Sequence, residues 1–189
     1  KLGDDIWVAH KRDELLALIR ASTGLWLELT ADRPSAVPGS EVTISAAALN
    51  RSALNVAVRE VTIPALDLKT SWQAPLTENI TASKKFNARI PGEMPYSMPY
   101  WLRDQGTKSM FAVSDQTLRG TAENTPVLEA RVTVEIDGVE LRFTEPVDYR
   151  WNDRIDCYTD WYWSTDRRWN HPCRQLSIHV QTVPNPSLR

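Results

Sequence analysis

From Leu128 to Phe143 apolar residues fall on every second position, and the alternation breaks once, at Asp137-Gly138. Leu128, Ala130, Val132, Val134 and Ile136 share one face of the first run, and Val139, Leu141 and Phe143 join them from the second. A period of two is the signature of a strand with one buried face. Asp-Gly between two such runs predicts a tight hairpin, because a type I′ turn needs positive φ at both central residues. Pro146 then interrupts or shifts the pairing, since proline has no N–H to give to a ladder.

The same period recurs upstream. LWLELTA sets Leu25, Leu27 and Leu29 against Trp26 and Glu28, and Pro34, Pro38 and Gly39 follow as a turn. EVTISAAALN places Val42, Ile44 and Ala46 on one side, a turn falls at Asn50, Arg51 and Ser52, and NVAVREVTIP runs on to Pro64. KKFNARIP predicts a further strand. GEMPYSMPYWLRDQG, rich in proline and aromatics, is expected to be irregular, and MFAVSDQTLRGTAENTP to be a short strand followed by an exposed loop. Short strands separated by turns predict a mainly β chain, an immunoglobulin/fibronectin-like antiparallel β-sandwich.

One segment departs from this pattern. WVAHKRDELLALIRASTG carries Val8, Leu15, Leu18 and Ile19 near one face at helical spacing, broadened by Leu16, and Gly24 ends it as a C-cap. The expected organisation is therefore an N-terminal linker helix over residues 1–24, a β domain over 25–156 and an atypical tail over 157–189. A lone helix of this kind packs on a neighbouring domain or covers a sheet edge.

The chain has 189 residues, 42% of them hydrophobic and 24% charged, enough to bury a core without staples. A net charge of −2 gives no basic field for nucleic acid or an anionic membrane. No apolar run approaches the roughly 18 residues of a membrane span. There is no signal peptide, and the first residue is Lys rather than Met, as in a fragment or a processed product.

The sequence nominates little chemistry. No phosphate loop, dinucleotide fingerprint or nucleophile elbow is present, and no cofactor is implied. His10 lacks a second ligand at metal spacing and reads as a helix-surface residue. The carboxylates are scattered singly and nominate no acid–base pair. Two clusters stand out. Tyr96, Tyr100 and Trp101 are candidates for a flat platform that stacks on sugar rings, against the plainer reading that proline-flanked aromatics pack a crossover. Cys157, His171, Cys173 and His179 include the ligand types of zinc but lack its close ligand pairs, and the two cysteines, 16 positions apart, permit a disulfide without implying one.

KRDELLALIRASTGLWLELTADRPSAVPGSEVTISAAALNRS, PYWLRDQG and LRGTAENTPVLEARVTVEIDGVELRFTEPVDYRWNDRID, with the spacing between them, resemble a region C-terminal to the catalytic domain in large bacterial PIG-L (LmbE-like) deacetylases. The resemblance covers about residues 4–156. In that family zinc sits in an N-terminal α/β domain, on a His-Pro-Asp-Asp motif and a later histidine. This chain has no such motif, so no catalytic or metal residue carries over. The resemblance implies a non-catalytic accessory β-sandwich for domain packing and glycan presentation in an N-acetyl-sugar deacetylase, in a secreted or periplasmic setting. Its partner is a PIG-L-like catalytic domain, with the helix as the docking link. The alternative is a free-standing carbohydrate-binding or adhesion module using Tyr96, Tyr100 and Trp101.

The family pattern stops at Cys157, and composition changes with it. Residues 157–189 contain no Gly, Ala, Glu, Lys, Phe or Met, whereas residues 1–156 hold 17 Ala, 11 Glu and all 7 Gly. A frameshifted or fused tail is the expectation, partly disordered, with strand alternation only in QLSIHV. Translating the encoding DNA in the other frames past Asp156 tests it: no Gly-x-x-Tyr-Arg-like continuation there rejects the frameshift.

Overall fold

The computed structural model describes residues 6–151, 176–179 and 181–182. Helix α1 spans Ile6–Thr23 and is followed by strands β1 (Trp26–Ala31), β2 (Ser35–Ala36), β3 (Glu41–Leu49), β4 (Val56–Ile63), β5 (Leu68–Leu76), β6 (Ala82–Arg89), β7 (Glu129–Ile136), β8 (Val139–Trp151), β9 (Leu176–His179) and β10 (Gln181–Thr182). The chain is mainly β with one N-terminal helix. Seven strands form a continuous path in the order β5-β4-β7-β8-β1-β3-β6. Neighbours along it are antiparallel except β1 and β8, which run parallel through Leu29–Val147 and Thr30–Asp148. The path curls until its ends approach, and Lys84 Nζ of β6 donates to the Ser71 carbonyl of β5. The result is a mixed sheet close to a barrel.

The hairpin forms at the predicted register, with Ile136 opposite Val139 and positive φ at both Asp137 (45°) and Gly138 (84°). Gly138→Ala is expected to cost about 1 kcal/mol, because a Cβ there meets the left-handed penalty. Equilibrium urea unfolding checks it. The shift expected at Pro146 is a change of partner: Val139–Pro146 pairs with β7, and the next two residues pair with β1. A strand that changes partners in this way turns a corner between two halves of a sheet. Val139 departs from the predicted buried face and is exposed, at the end of the strand beside the turn.

The interior is the sum of the alternations. Leu27 and Leu29 from β1, Val42 and Ile44 from β3, Val58, Val61 and Ile63 from β4, and Val132 and Val134 from β7 are buried in one cluster. Each such side chain contributes on the order of 1.5–3 kcal/mol relative to exposure. Two segments differ from the sequence reading. LKTSWQAPL, unassigned in sequence, is strand β5, and MFAV is not a strand but contributes one bridge, Ala112 with Asp104. The terminal strands β5 and β6 carry Lys69, Pro75, Lys84 and Lys85, residues that blunt edge-to-edge pairing.

Helix α1 ends as predicted. Gly24 has φ 59°, its N–H donates to the Ala21 carbonyl at 3.2 Å, and the Leu25 N–H donates to the Arg20 carbonyl at 3.1 Å. This is the Schellman pattern. The predicted face packs only in part. Leu15 and Leu18 are 56% and 63% exposed, while Leu16 and Ile19 pack on the core, Arg20 is half-buried and Thr23 is buried. Spacing alone ranks apolar positions. It cannot show that an arginine at Arg20 would be drawn inward by a carboxylate on β8.

Leu176–His179 pairs antiparallel with Asp148–Trp151, which sets the one alternating stretch of the tail as a strand, and Gln181–Thr182 pairs with Ser35–Ala36. The Cys157, His171 and Cys173 readings, and the tail as a whole up to Gln175, lie outside the described residues, as does the side chain of His179. Among the described residues no helix is long and apolar enough to cross a membrane.

Candidate functional site

Two fully buried residues mark where the longest irregular segment leaves the sheet. Ile90 donates its N–H to the Ser40 carbonyl at 2.8 Å, and the Leu128 carbonyl accepts from the Val147 N–H at 2.9 Å. Residues 91–127 lie between them. Met94 and Val127 pack back onto the core, so the segment is tied at its roots. A surface segment of this length is uncommon in a compact domain without a function of its own.

Its interior is held by polar side chains that bond to backbone. Asn124 accepts from the Tyr100 N–H at 2.9 Å and donates to the Met98 carbonyl at 2.6 Å. The Tyr100 hydroxyl donates to the Thr121 carbonyl at 2.9 Å. Asp115 caps the short turn Gln116–Leu118, accepting from the Thr117 N–H at 2.9 Å and the Thr117 hydroxyl at 2.7 Å. Asp104 accepts from the Ser114 N–H at 3.1 Å. The Ser114 and Thr117 side-chain hydrogen bonds, with the backbone bonds beside them, hold the Asp104 and Asp115 carboxyls below the usual carboxylate range.

The sequence candidates separate. Tyr100 and Trp101 sit edge to face, centroids 5.0 Å apart and planes at 88°. They are neighbours but do not make the coplanar platform expected of them, because consecutive residues of the tight turn Tyr100–Leu102 point in different directions. Tyr96 is exposed, and neither it nor Tyr100 lines the cleft that opens beside Trp101. That cleft is open, spans about 450 Å³, and is lined by the apolar side chains of Trp101, Leu102, Met110 and Phe111 together with the polar ones of Asp104, Thr107, Lys108 and Ser109. Met110 is 72% exposed and Phe111 67%. Gly106 lies where an added Cβ would come within 2.6 Å of the Met110 carbonyl oxygen, and the Thr107 N–H donates to that same oxygen at 3.0 Å. Only a glycine lets the two limbs approach this closely.

Compared with family models, curated proteins and solved structures, the chain matches none.

A second constellation escaped the sequence reading. Glu145 follows Leu141 and Phe143 on the inward face of β8 and is buried. Arg20 reaches it from α1, and the same guanidinium donates at 3.4 and 3.5 Å to the Leu25 and Leu27 carbonyls. Burial raises the Glu145 carboxyl, and Arg20 partly offsets the rise. A charge at a core-facing step of a period-two run is the signal that could have found it. Arg150, further along β8, pairs with Glu28 of β1. His10 is exposed on α1 and sits 3.1 Å from Glu14. Among the described residues no group of three His, Cys, Asp or Glu side chains is placed to hold a metal ion.

Proposed function

We propose that the chain is a non-catalytic accessory β module of a PIG-L (LmbE-like) N-acetyl-sugar deacetylase, docked on a catalytic domain through the outer face of α1. The observation that carries it is the exposure of Leu15 and Leu18, with Trp7, on a helix whose opposite face is tied to the β core. Large apolar side chains grouped on one face of a fixed element mark an interaction surface. The fold is read at finer grain as an immunoglobulin-like Greek key. The path β5-β4-β7-β8 followed by β1-β3-β6 corresponds to the order C′-C-F-G and A-B-E, which supports that reading.

The isolated chain should release no acetate from N-acetylglucosamine substrates, with or without zinc; turnover abolished by a chelator overturns the non-catalytic assignment. A catalytic domain bearing His-Pro-Asp-Asp, encoded in frame upstream of Lys1, should co-elute with the chain and lose it on Leu18→Asp. No such domain upstream, or co-elution that survives the substitution, overturns the docking assignment.

The second reading is a carbohydrate-binding or adhesion module using Tyr96, Tyr100 and Trp101, and the cleft beside Trp101 favours it.

A further inference from the structure

We propose that the cleft at the tip of segment 91–127 binds a neutral saccharide, with Trp101 and Phe111 against the sugar's apolar face and Asp104, Thr107 and Ser109 bonding its hydroxyls. This inference rests on the carbohydrate-binding reading and is independent of any tie to a deacetylase. It also changes the residues: Tyr96 and Tyr100 leave the site, and Phe111, Asp104, Thr107 and Ser109 enter it.

Four properties point to this ligand. The volume of about 450 Å³ lies within the roughly 300–1,000 Å³ of small-molecule sites. The lining is mixed, two aromatic and two aliphatic side chains with a carboxylate, an ammonium and two hydroxyls. A pyranose is mixed in the same way, with C–H groups on a ring face and hydroxyls around its rim. A wholly apolar ligand would desolvate Lys108 and the part of Asp104 that Ser114 does not satisfy, and offer neither a hydrogen bond. A small anion would leave Trp101 and Phe111 facing water. Formal charge selects further: one Asp and one Lys sum to zero, which favours a neutral sugar over a uronate or an amino sugar. Hydroxyl, carboxylate and ammonium together supply donors and acceptors for hydroxyls that both donate and accept.

The cleft is also built in advance. Ser114 orients Asp104, Thr107 bonds Met110 across the limb, and Gly106 lets the limbs close. A site fixed before binding avoids the entropy of ordering its walls.

The test titrates the full chain with linear tetrasaccharides of glucose, mannose and N-acetylglucosamine, followed by tryptophan fluorescence and by amide chemical shifts. At least one sugar is expected to shift amides of residues 101–111 and to change Trp101 emission. Trp101→Ala and Phe111→Ala should each weaken it on the order of tenfold, and Tyr96→Ala should leave it unchanged. Gly106→Ala should weaken it too, although it removes no contacting side chain. Unaltered amide shifts elsewhere establish that each variant is folded. Binding that survives Trp101→Ala and Phe111→Ala but is lost in Tyr96→Ala overturns the cleft and retains carbohydrate binding. Flat titrations with every sugar overturn both the cleft and the carbohydrate reading.

Discussion

Arg20→Ala is expected to destabilise the chain by about 3 kcal/mol, far more than an ordinary surface arginine. The pair it breaks is unequal: the Arg20 side chain is 32% exposed and that of Glu145 is 11%. Removing the guanidinium leaves a carboxylate on the inward face of β8 with its main partner gone, and a buried charge stripped of its partner costs roughly 3–5 kcal/mol. The lower end applies because Arg20 keeps contact with water. The change also removes two donors to the Leu25 and Leu27 carbonyls, loosening the join between α1 and β1. Arg59→Ala is the control. Arg59 bonds Glu135 at 2.6 and 2.9 Å, but both side chains are about a third exposed, and such pairs contribute about 0–1 kcal/mol. Glu145→Leu in the Arg20→Met background should recover most of the loss, since an apolar pair needs no desolvation. A double-mutant cycle in urea measures the coupling.

The pH dependence has a definite sign. The Glu145 carboxyl is raised above its ordinary 4.5, by burial first and by Asp148 in small part, against the lowering by Arg20. A group raised in the folded state favours folding most when protonated. Its contribution is full below the unfolded value and is lost as pH rises through the folded value. Without Arg20 the carboxyl rises further. The penalty of Arg20→Ala should therefore be full above both raised folded values, shrink as pH falls through them, and be gone by about the ordinary 4.5. A penalty that does not change with pH would show that the loss comes from the carbonyl contacts alone.

What the sequence made legible was whatever obeys a short period. The Asp137-Gly138 turn, the register Ile136–Val139, the alternations of β1 and β3 and the Gly24 cap are all local rules that tertiary structure did not override, whereas the alternation of β4 slips at Arg59-Glu60, where its register with both neighbours shifts. The helix face is legible in part: Leu16 and Ile19 pack on the core, but Leu15 and Leu18 satisfy the same spacing and turn outward, a choice that depends on Glu145, 125 residues from Arg20. Strand β5 was missed because its alternation is of half-buried residues such as Thr70, Trp72 and Ala74 against Lys69, Ser71 and Gln73, which has little hydropathy contrast. The site was legible in part. Trp101 was named, but Phe111 and Asp104 join it only through the bridge at Ala112 and the bond to Ser114, and neither leaves a periodic trace.

The largest loss from a single core truncation is expected at Leu29→Ala, between 2 and 5 kcal/mol by the usual range for burying and then deleting a leucine. Leu29 is 2% exposed and stands where β1 meets both of its neighbours, opposite Ala46 of β3 and Val147 of β8. Ala46 and Ala48 on β3 are small, so no neighbour on that side can swing into the space, and the cavity stays open. The position matters beyond its volume. The two halves of the sheet, β5-β4-β7 and β3-β6, are joined through β8 and β1, and their parallel register spans two residue pairs only, Leu29–Val147 and Thr30–Asp148. A cavity there weakens the shortest ladder in the path. Unfolding should lose cooperativity as well as stability, seen as a smaller urea m-value, because one half can then open before the other. Leu18→Ala, an identical chemical change at 63% exposure, should move the midpoint little, which separates the effect of burial at the joint from that of losing a leucine. An unchanged m-value in Leu29→Ala, with the full loss of stability, would show instead that the two halves unfold as one unit and that the parallel joint is no weaker than the antiparallel ladders around it.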